Sequence, residues 1–260
     1  MRVDGRIAGS FPDGMPRIAV FVHGLFETEF AWGRDSYGER LARDPGFTPL
    51  YVRYNTGRRV SENGASLAAL LDELLAGWPV EIEQIALIGH SMGGLVARSA
   101  CHYGGGWTRH VRHVVSLGTP HAGAPLEEAV HVAAAALHAL PESRPLARLL
   151  RRRSGGIRDL RRGSLVDADW RDRDPDALRA AACEEVPLLD GARHCFVAAT
   201  VTADPHHPLG RLLGDWLVLE PSASARAQER FHLGGAHHLA LLDHPRVYEQ
   251  LKRWLASPGA

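Results

Sequence analysis

The residues best suited to chemistry lie in Gly89-His90-Ser91-Met92-Gly93-Gly94, which follows the apolar run Ile85-Ala86-Leu87-Ile88 and precedes the helix-compatible Leu95-Val96-Ala97-Arg98-Ser99-Ala100. A serine becomes a useful nucleophile when a sharp strand-to-helix turn lifts its hydroxyl above a sheet, with backbone N–H groups beside it. Such a turn admits only very small residues two positions to either side, and Gly89 and Gly93 meet that demand. Gly-x-Ser-x-Gly strings also arise by chance. The strand before this one and the helix after it are what separate a nucleophile elbow at Ser91 from an ordinary Gly-rich turn.

A second string, Val20-Phe21-Val22-His23-Gly24-Leu25-Phe26, reads as an apolar strand ending in His-Gly. Acyl transfer needs a second backbone donor facing the developing oxyanion, beside the N–H that follows the serine. Gly24 permits close approach, so the N–H groups of Leu25 and Met92 are the expected oxyanion hole. His23 is expected to hold the turn through hydrogen bonds.

This pair of motifs resembles the α/β-hydrolase superfamily, specifically lipases and the GPI inositol-deacylase-like branch. Ser116-Leu117-Gly118-Thr119-Pro120-His121 is similar to a segment of those proteins. So is Gly214-Asp215-Trp216-Leu217-Val218 with Ser222-Ala223, although Trp216 and Glu220 stand where that stretch has a small residue and Pro. His237-His238-Leu239-Ala240-Leu241-Leu242, followed by Asp243-His244-Pro245, resembles their histidine loop. The likeness covers about 18–28, 85–100, 114–123, 196–222 and 232–256. It implies a triad of Ser91, Asp215 and His238, in the serine, acid, histidine order of that superfamily. His238 would take the serine proton and return it to the leaving alcohol, while Asp215 fixes the tautomer. Spacing alone offers Asp204 as a competing acid, a few residues beyond the run Phe196–Ala199, and His237 is the competing base.

The implied activity is cleavage of a small-molecule acyl ester through an acyl-enzyme. The same parts would serve a thioesterase or an acyltransferase, and the fold also occurs in non-catalytic binding proteins. No cofactor and no metal site are expected. His206-His207 would need partners that the sequence does not reveal, and Cys101, Cys183 and Cys195 lack any C-x-x-C spacing, so they read as buried small hydrophobes.

Elements must position these groups, and the sequence supplies them. Ile18–Val22, Ile85–Ile88, Val114–Leu117 and Phe196–Ala199 are short unalternated apolar runs, as in strands covered on both faces. Leu67, Leu70, Leu71, Leu74, Leu75 and Trp78 follow a helical period, with Ser61 and Asn63 as cap candidates. Val247, Tyr248, Leu251, Trp254 and Leu255 repeat the period, with Pro245 at a first helical position. Alternating strands and helices predict one α/β domain over 1–260, of α/β-hydrolase fold: a mostly parallel central sheet, helices on both faces, and active groups at the strands' carboxyl ends.

Between about 124 and 190 the pattern breaks, and we expect a helical cap or lid there. An Ala-rich helix, Leu126–Leu140, precedes an Arg-rich stretch (eight Arg from Arg144 to Arg162, against Asp159 alone) and an acidic one (seven acids from Asp167 to Glu185, against three Arg). Opposite blocks of this kind are expected to neutralise each other. Across the chain 30 Lys and Arg balance 30 Asp and Glu, so charge draws the protein to neither nucleic acid nor an anionic surface. The first residues, Met1-Arg2-Val3-Asp4-Gly5-Arg6, carry no signal-peptide pattern and no stretch suits a membrane span, which leads us to expect a cytoplasmic protein. Oligomeric state is not legible.

Overall fold

The computed structural model describes residues 7–44, 46–121, 154–171, 183–200 and 228–256. Six strands, β1 (Arg17–Val22), β2 (Thr48–Val52), β3 (Gln84–His90), β4 (Val111–Leu117), β5 (Arg193–Thr200) and β6 (Gln228–Gly234), form one sheet in the order β2-β1-β3-β4-β5-β6. Every neighbouring pair is parallel. The four predicted runs lie inside β1, β3, β4 and β5. The two strands without such a run are the sheet edges. β2 is half-buried and contains Pro49, which an edge tolerates, and β6 carries Glu229 and Arg230 beside Phe231 and Leu233.

Parallel strands need crossovers, and the helices supply them on both faces. Among the described residues the helices in chain order are a short turn α1 (Ile7–Ser10), α2 (Tyr37–Arg43), α3 (Val60–Gly77), α4 (Met92–Tyr103), α5 (Gly155–Arg162) and α6 (Pro245–Ala256). Alternate residues of the strands feed two cores. Ile18, Val20, Val22, Ile85 and Leu87 pack with Leu67, Leu71, Leu95 and Val96 of α3 and α4. Ala19, Phe21, Ala86 and Ile88 pack with Tyr37 and Leu41 of α2 and Val247, Leu251 and Trp254 of α6. The result is a helix–sheet–helix sandwich, the α/β-hydrolase fold. Its strand order reverses direction around β1, and an open parallel sheet binds ligands in the crevice at the carboxyl ends beside such a reversal. The loops after β1 and β3 flank that crevice.

The helix predicted from the leucine period is α3, but it starts earlier than its expected caps. Arg59 precedes the first turn, and Ser61 and Asn63 lie buried within the helix. Asn63 Nδ2 donates to Asn55 O, and Ser61 Oγ accepts from Trp170 Nε1. The first-turn N–H of Val60 instead finds Asp159 Oδ2 at 2.7 Å, a carboxylate from a distant part of the chain placed where the helix dipole favours negative charge. Arg59 Nη1 closes the same carboxylate at 2.7 Å.

The described part of the 124–190 insertion is thus seated on α3 and α4. Ser99 Oγ donates to Leu165 O, and Leu160, Leu165 and Val166 join the core on that face. Of the charge blocks, Arg171 pairs with Asp167 within the insertion, whereas Asp159 pairs with Arg59 of the main body. The predicted Leu126–Leu140 helix lies outside the described residues. Among the described residues no helix is long and apolar enough to cross a membrane.

Candidate active site

Ser91 occupies the tip between β3 and α4 with φ 51° and ψ −121°. Positive φ is uncommon for a residue with a side chain and is costly enough to need support from its surroundings. That support is present: Ser91 N–H donates to Leu117 O at 2.8 Å, and Gly94 N–H to Ser91 O at 3.1 Å. A Cβ on Gly93 would lie 2.1 Å from Val22 O and 2.6 Å from His23 O, and one on Gly89 would lie 2.4 Å from Gly94 N. These neighbours are backbone atoms that no rotamer change can move. The two glycines therefore have a steric reason, the close seating of the elbow against its own helix and the end of β1.

The loop after β1 comes up against the elbow from the other side. A Cβ on Gly24 would lie 3.0 Å from Ser91 Cβ and 2.9 Å from Glu27 Oε2. His23 Nδ1–H donates to Gly24 O at 3.0 Å, Tyr54 O–H donates to His23 O at 2.7 Å, and the two rings stack at 4.4 Å. Burial outweighs the neighbouring carboxylates and lowers the His23 pKa, which leaves a neutral ring that braces the turn. Among the described residues, the N–H groups of Leu25 and Met92 are engaged by no hydrogen bond.

His238 arrives from the carboxyl side of β6, at the start of a 3₁₀ turn, His238–Leu242. A Cβ on Gly118, the residue after β4, would lie 2.8 Å from both Nδ1 and Cε1 of His238, and the His238 ring packs on His90 at 4.6 Å between centroids. His237 does something else: its Nδ1 accepts from Ala240 N–H at 3.2 Å and caps the turn. Tyr37 anchors the same turn from α2. Its hydroxyl reaches Leu241 O at 3.0 Å and accepts from His244 N–H at 2.7 Å.

Two features were not read from the sequence. Glu27 Oε2 accepts from Gly24 N–H at 2.6 Å and from His90 Nδ1 at 3.1 Å. Burial alone would raise its pKa, but the interactions with His90, Gly24 N–H and the His238 charge hold it below the ordinary carboxyl value, so Glu27 is ionised at neutral pH. An ionised carboxylate only accepts, which places the His90 proton on Nδ1. The spacing Gly24-x-x-Glu27, with Glu27 N–H bonded back to Gly24 O, was the available signal. The second feature is a clamp on the loop after β4. Arg98 Nη1 donates to His121 Nδ1 at 3.2 Å, Arg98 Nη2 to Val186 O at 2.7 Å, and His121 Nε2 meets Ser116 Oγ at 3.1 Å. Burial, then the Arg98 charge, pushes His121 well below the usual imidazole range, so it serves as a neutral acceptor.

Ser91, Gly89, Gly93, Met92, Leu25 and His238 thus converge on one end of the sheet. Asp215 and its competitor Asp204 lie outside the described residues, as do His206 and His207. Among the described residues no three His, Cys, Asp or Glu side chains are grouped closely enough to hold a metal ion.

A family model described as the PGAP1-like alpha/beta domain matches residues 55–170, the stretch that contains the elbow. Comparison with curated proteins finds no match. Among solved structures, the mature lipase BlEst2 of Bacillus licheniformis superposes with a TM-score of 0.60 at 22% identity, covering 92% of this chain and 91% of the lipase. The RedJ thioesterase from the prodiginine biosynthetic pathway in Streptomyces coelicolor gives 0.52 at 19% identity, over 93% and 90% of the two chains. The esterase RhEst1 from a Rhodococcus species also gives 0.52 at 19%, over 95% and 93%. With six parallel strands among the described residues, a strained serine beside the switch of strand order and these likenesses, the chain has the α/β-hydrolase fold, similar to that of a lipase.

Proposed function

We propose that the protein is a serine hydrolase that cleaves carboxylic esters through an acyl-enzyme. The observation that carries this reading is the elbow itself: a serine held at φ 51°, with the loop after β1 seated against it, the N–H groups of Leu25 and Met92 without another partner among the described residues, and the His238 ring beside the end of β4. In this reading Ser91 Oγ attacks the acyl carbonyl as His238 takes its proton, and the oxyanion is held by Leu25 N–H and Met92 N–H. Each such donor is worth about 3–4 kcal/mol in the transition state. His238 then protonates the departing alcohol, water attacks the acyl-enzyme, and Asp215 keeps the imidazole in the productive tautomer.

An acyl substrate is supported by the loops around the elbow. Phe26 and Phe30 on the loop after β1 and Leu239 beside His238 are 38%, 75% and 57% exposed, so the loops that follow β1 and β6 present large apolar groups to solvent. The 124–190 insertion is proposed as the cap over the crevice at the strands' carboxyl ends. Because Asp159 ties residues 154–171 to α3, deletion of 126–153 is the variant that tests it, and it should alter chain-length preference more than turnover of a short acetate ester.

A thioester substrate is the second reading, favoured by the likeness to a thioesterase. Matched oxygen esters and thioesters of two to twelve acyl carbons, assayed with wild type and Ser91→Ala, test both. Hydrolysis of oxygen esters that is lost in Ser91→Ala supports the first reading; strong preference for the thioester series supports the second; turnover that persists in folded Ser91→Ala contradicts both.

A further inference from the structure

We propose that Glu27 is a positioning residue that locks together the two separate loops of the oxyanion hole and sets the basicity of His238. The inference deepens the reading of Ser91 as nucleophile, with Leu25 and Met92 as donors, and rests on it.

The two expected donors come from different strands. Leu25 follows β1 and Met92 follows β3, so their separation is fixed only if the two strand ends are tied. A single oxygen ties them. Glu27 Oε2 accepts from Gly24 N–H, the residue before Leu25, and from His90 Nδ1–H, the residue before Ser91. The same carboxylate oxygen and the Ser91 Cβ flank the space over Gly24, at 2.9 and 3.0 Å from where a Cβ would stand. By engaging Gly24 N–H, Glu27 also turns that group away from substrate and leaves Leu25 N–H as the donor of its loop.

The cost of the arrangement argues that it has a use. The Glu27 side chain is only 15% exposed, and among the described residues its ion-pair partner is His90 rather than a Lys or Arg. A loop brace could be made with a neutral side chain, whereas a carboxylate adds a negative charge beside the ring that must become imidazolium during reaction. The groups that face it are His23 from its own loop with Glu29 and Arg53 near that ring, Tyr54 after β2, His90 at the end of β3, and His238 from the turn after β6. The His90 ring donates to the carboxylate and packs on the His238 ring, so Glu27 acts on His238 both through this ring and through space.

The experiment compares wild type, Glu27→Ala, Glu27→Gln and Ser91→Ala on a short nitrophenyl ester, reading kcat, KM, the pH profile of kcat/KM and the melting temperature. Misplacing a donor by about an ångström costs on the order of 100-fold, so Glu27→Ala should lose about 10- to 100-fold in kcat with KM within about threefold. Glu27→Gln keeps an oxygen for Gly24 N–H and should recover most of that loss. It should also shift the acid limb of kcat/KM to lower pH, because the negative charge that favours protonated His238 is gone. An unmoved acid limb in folded Glu27→Gln, or kcat in Glu27→Ala equal to wild type despite a lower melting temperature, overturns the inference and makes Glu27 a loop brace. If Glu27→Ala does not fold, the Glu27→Gln profile decides alone. Failure of the underlying reading looks different, since then wild type and Ser91→Ala turn over the ester alike.

Discussion

The strained serine predicts an unusual stability result. At φ 51° and ψ −121° Ser91 sits in a region where a Cβ is unfavourable, and a residue held there costs of order 1–3 kcal/mol. Ser91→Ala keeps the Cβ and hence the strain; Ser91→Gly removes both. In ordinary helix or strand positions, glycine is worse than alanine by roughly 0.5–1 kcal/mol, because it loses more backbone freedom on folding. Ser91 is half-buried, so the lost methyl contributes only a few tenths more. Taking about 2 kcal/mol of strain and subtracting these terms leaves about 1 kcal/mol in favour of glycine. Denaturant unfolding of the two variants, read at equal m-value, measures the difference directly, and a melting shift of about 2–4 °C should accompany it. If Ser91→Gly is less stable than Ser91→Ala by the ordinary amount, the elbow stores no strain and the argument fails.

Further outcomes follow from other parts of the structure. His238→Ala should abolish most ester hydrolysis, whereas His237→Ala, which removes only a cap from the turn, should keep turnover while lowering the melting temperature; the reverse ranking reassigns the base. Asp215→Asn should lose on the order of 10⁴-fold in turnover through a wrong histidine tautomer, with Asp204→Asn near normal, and kinetics of the two folded variants decide between them. Asp159 offers a pH test. Burial outweighs its bonds to Val60 N–H and Arg59 and raises its carboxyl from 3.8 to about 6, so the native state binds its proton more tightly than the unfolded chain. Its contribution to stability is therefore greatest at low pH and falls as pH rises through the window from about 4 to 6, by about 1.4 kcal/mol for each pH unit in that window. Stability curves of wild type and Asp159→Asn should converge or cross in that direction, and parallel curves would contradict it.

What the sequence revealed and what it hid divide along physical lines. The elbow was legible because its signal is local: a buried strand, glycines where backbone atoms stand at 2.1–2.4 Å from a would-be Cβ, and a helix directly after. The inner strands showed as apolar runs because both faces are covered, and α3 and α6 showed as helical periods because one face is buried. β2 and β6 escaped because edge strands have one exposed side and carry polar residues or proline. The start of α3 was misplaced because its cap is a carboxylate 99 residues along the chain, and Ser61 and Asn63, good local cap candidates, are used in tertiary bonds instead. Glu27 was overlooked for a similar reason. Its bond to Gly24 is local, but its meaning depends on His90, 63 residues further on, which only the pairing of β1 with β3 brings alongside.

The central claim is that Ser91 is an activated nucleophile, and covalent labelling tests it most directly. Wild-type protein incubated with a fluorophosphonate should take up one label per chain, on the peptide containing Ser91, with ester hydrolysis lost in proportion to labelling and no uptake after unfolding. Absence of label from a folded protein, or label on another residue with hydrolysis intact, would contradict the account.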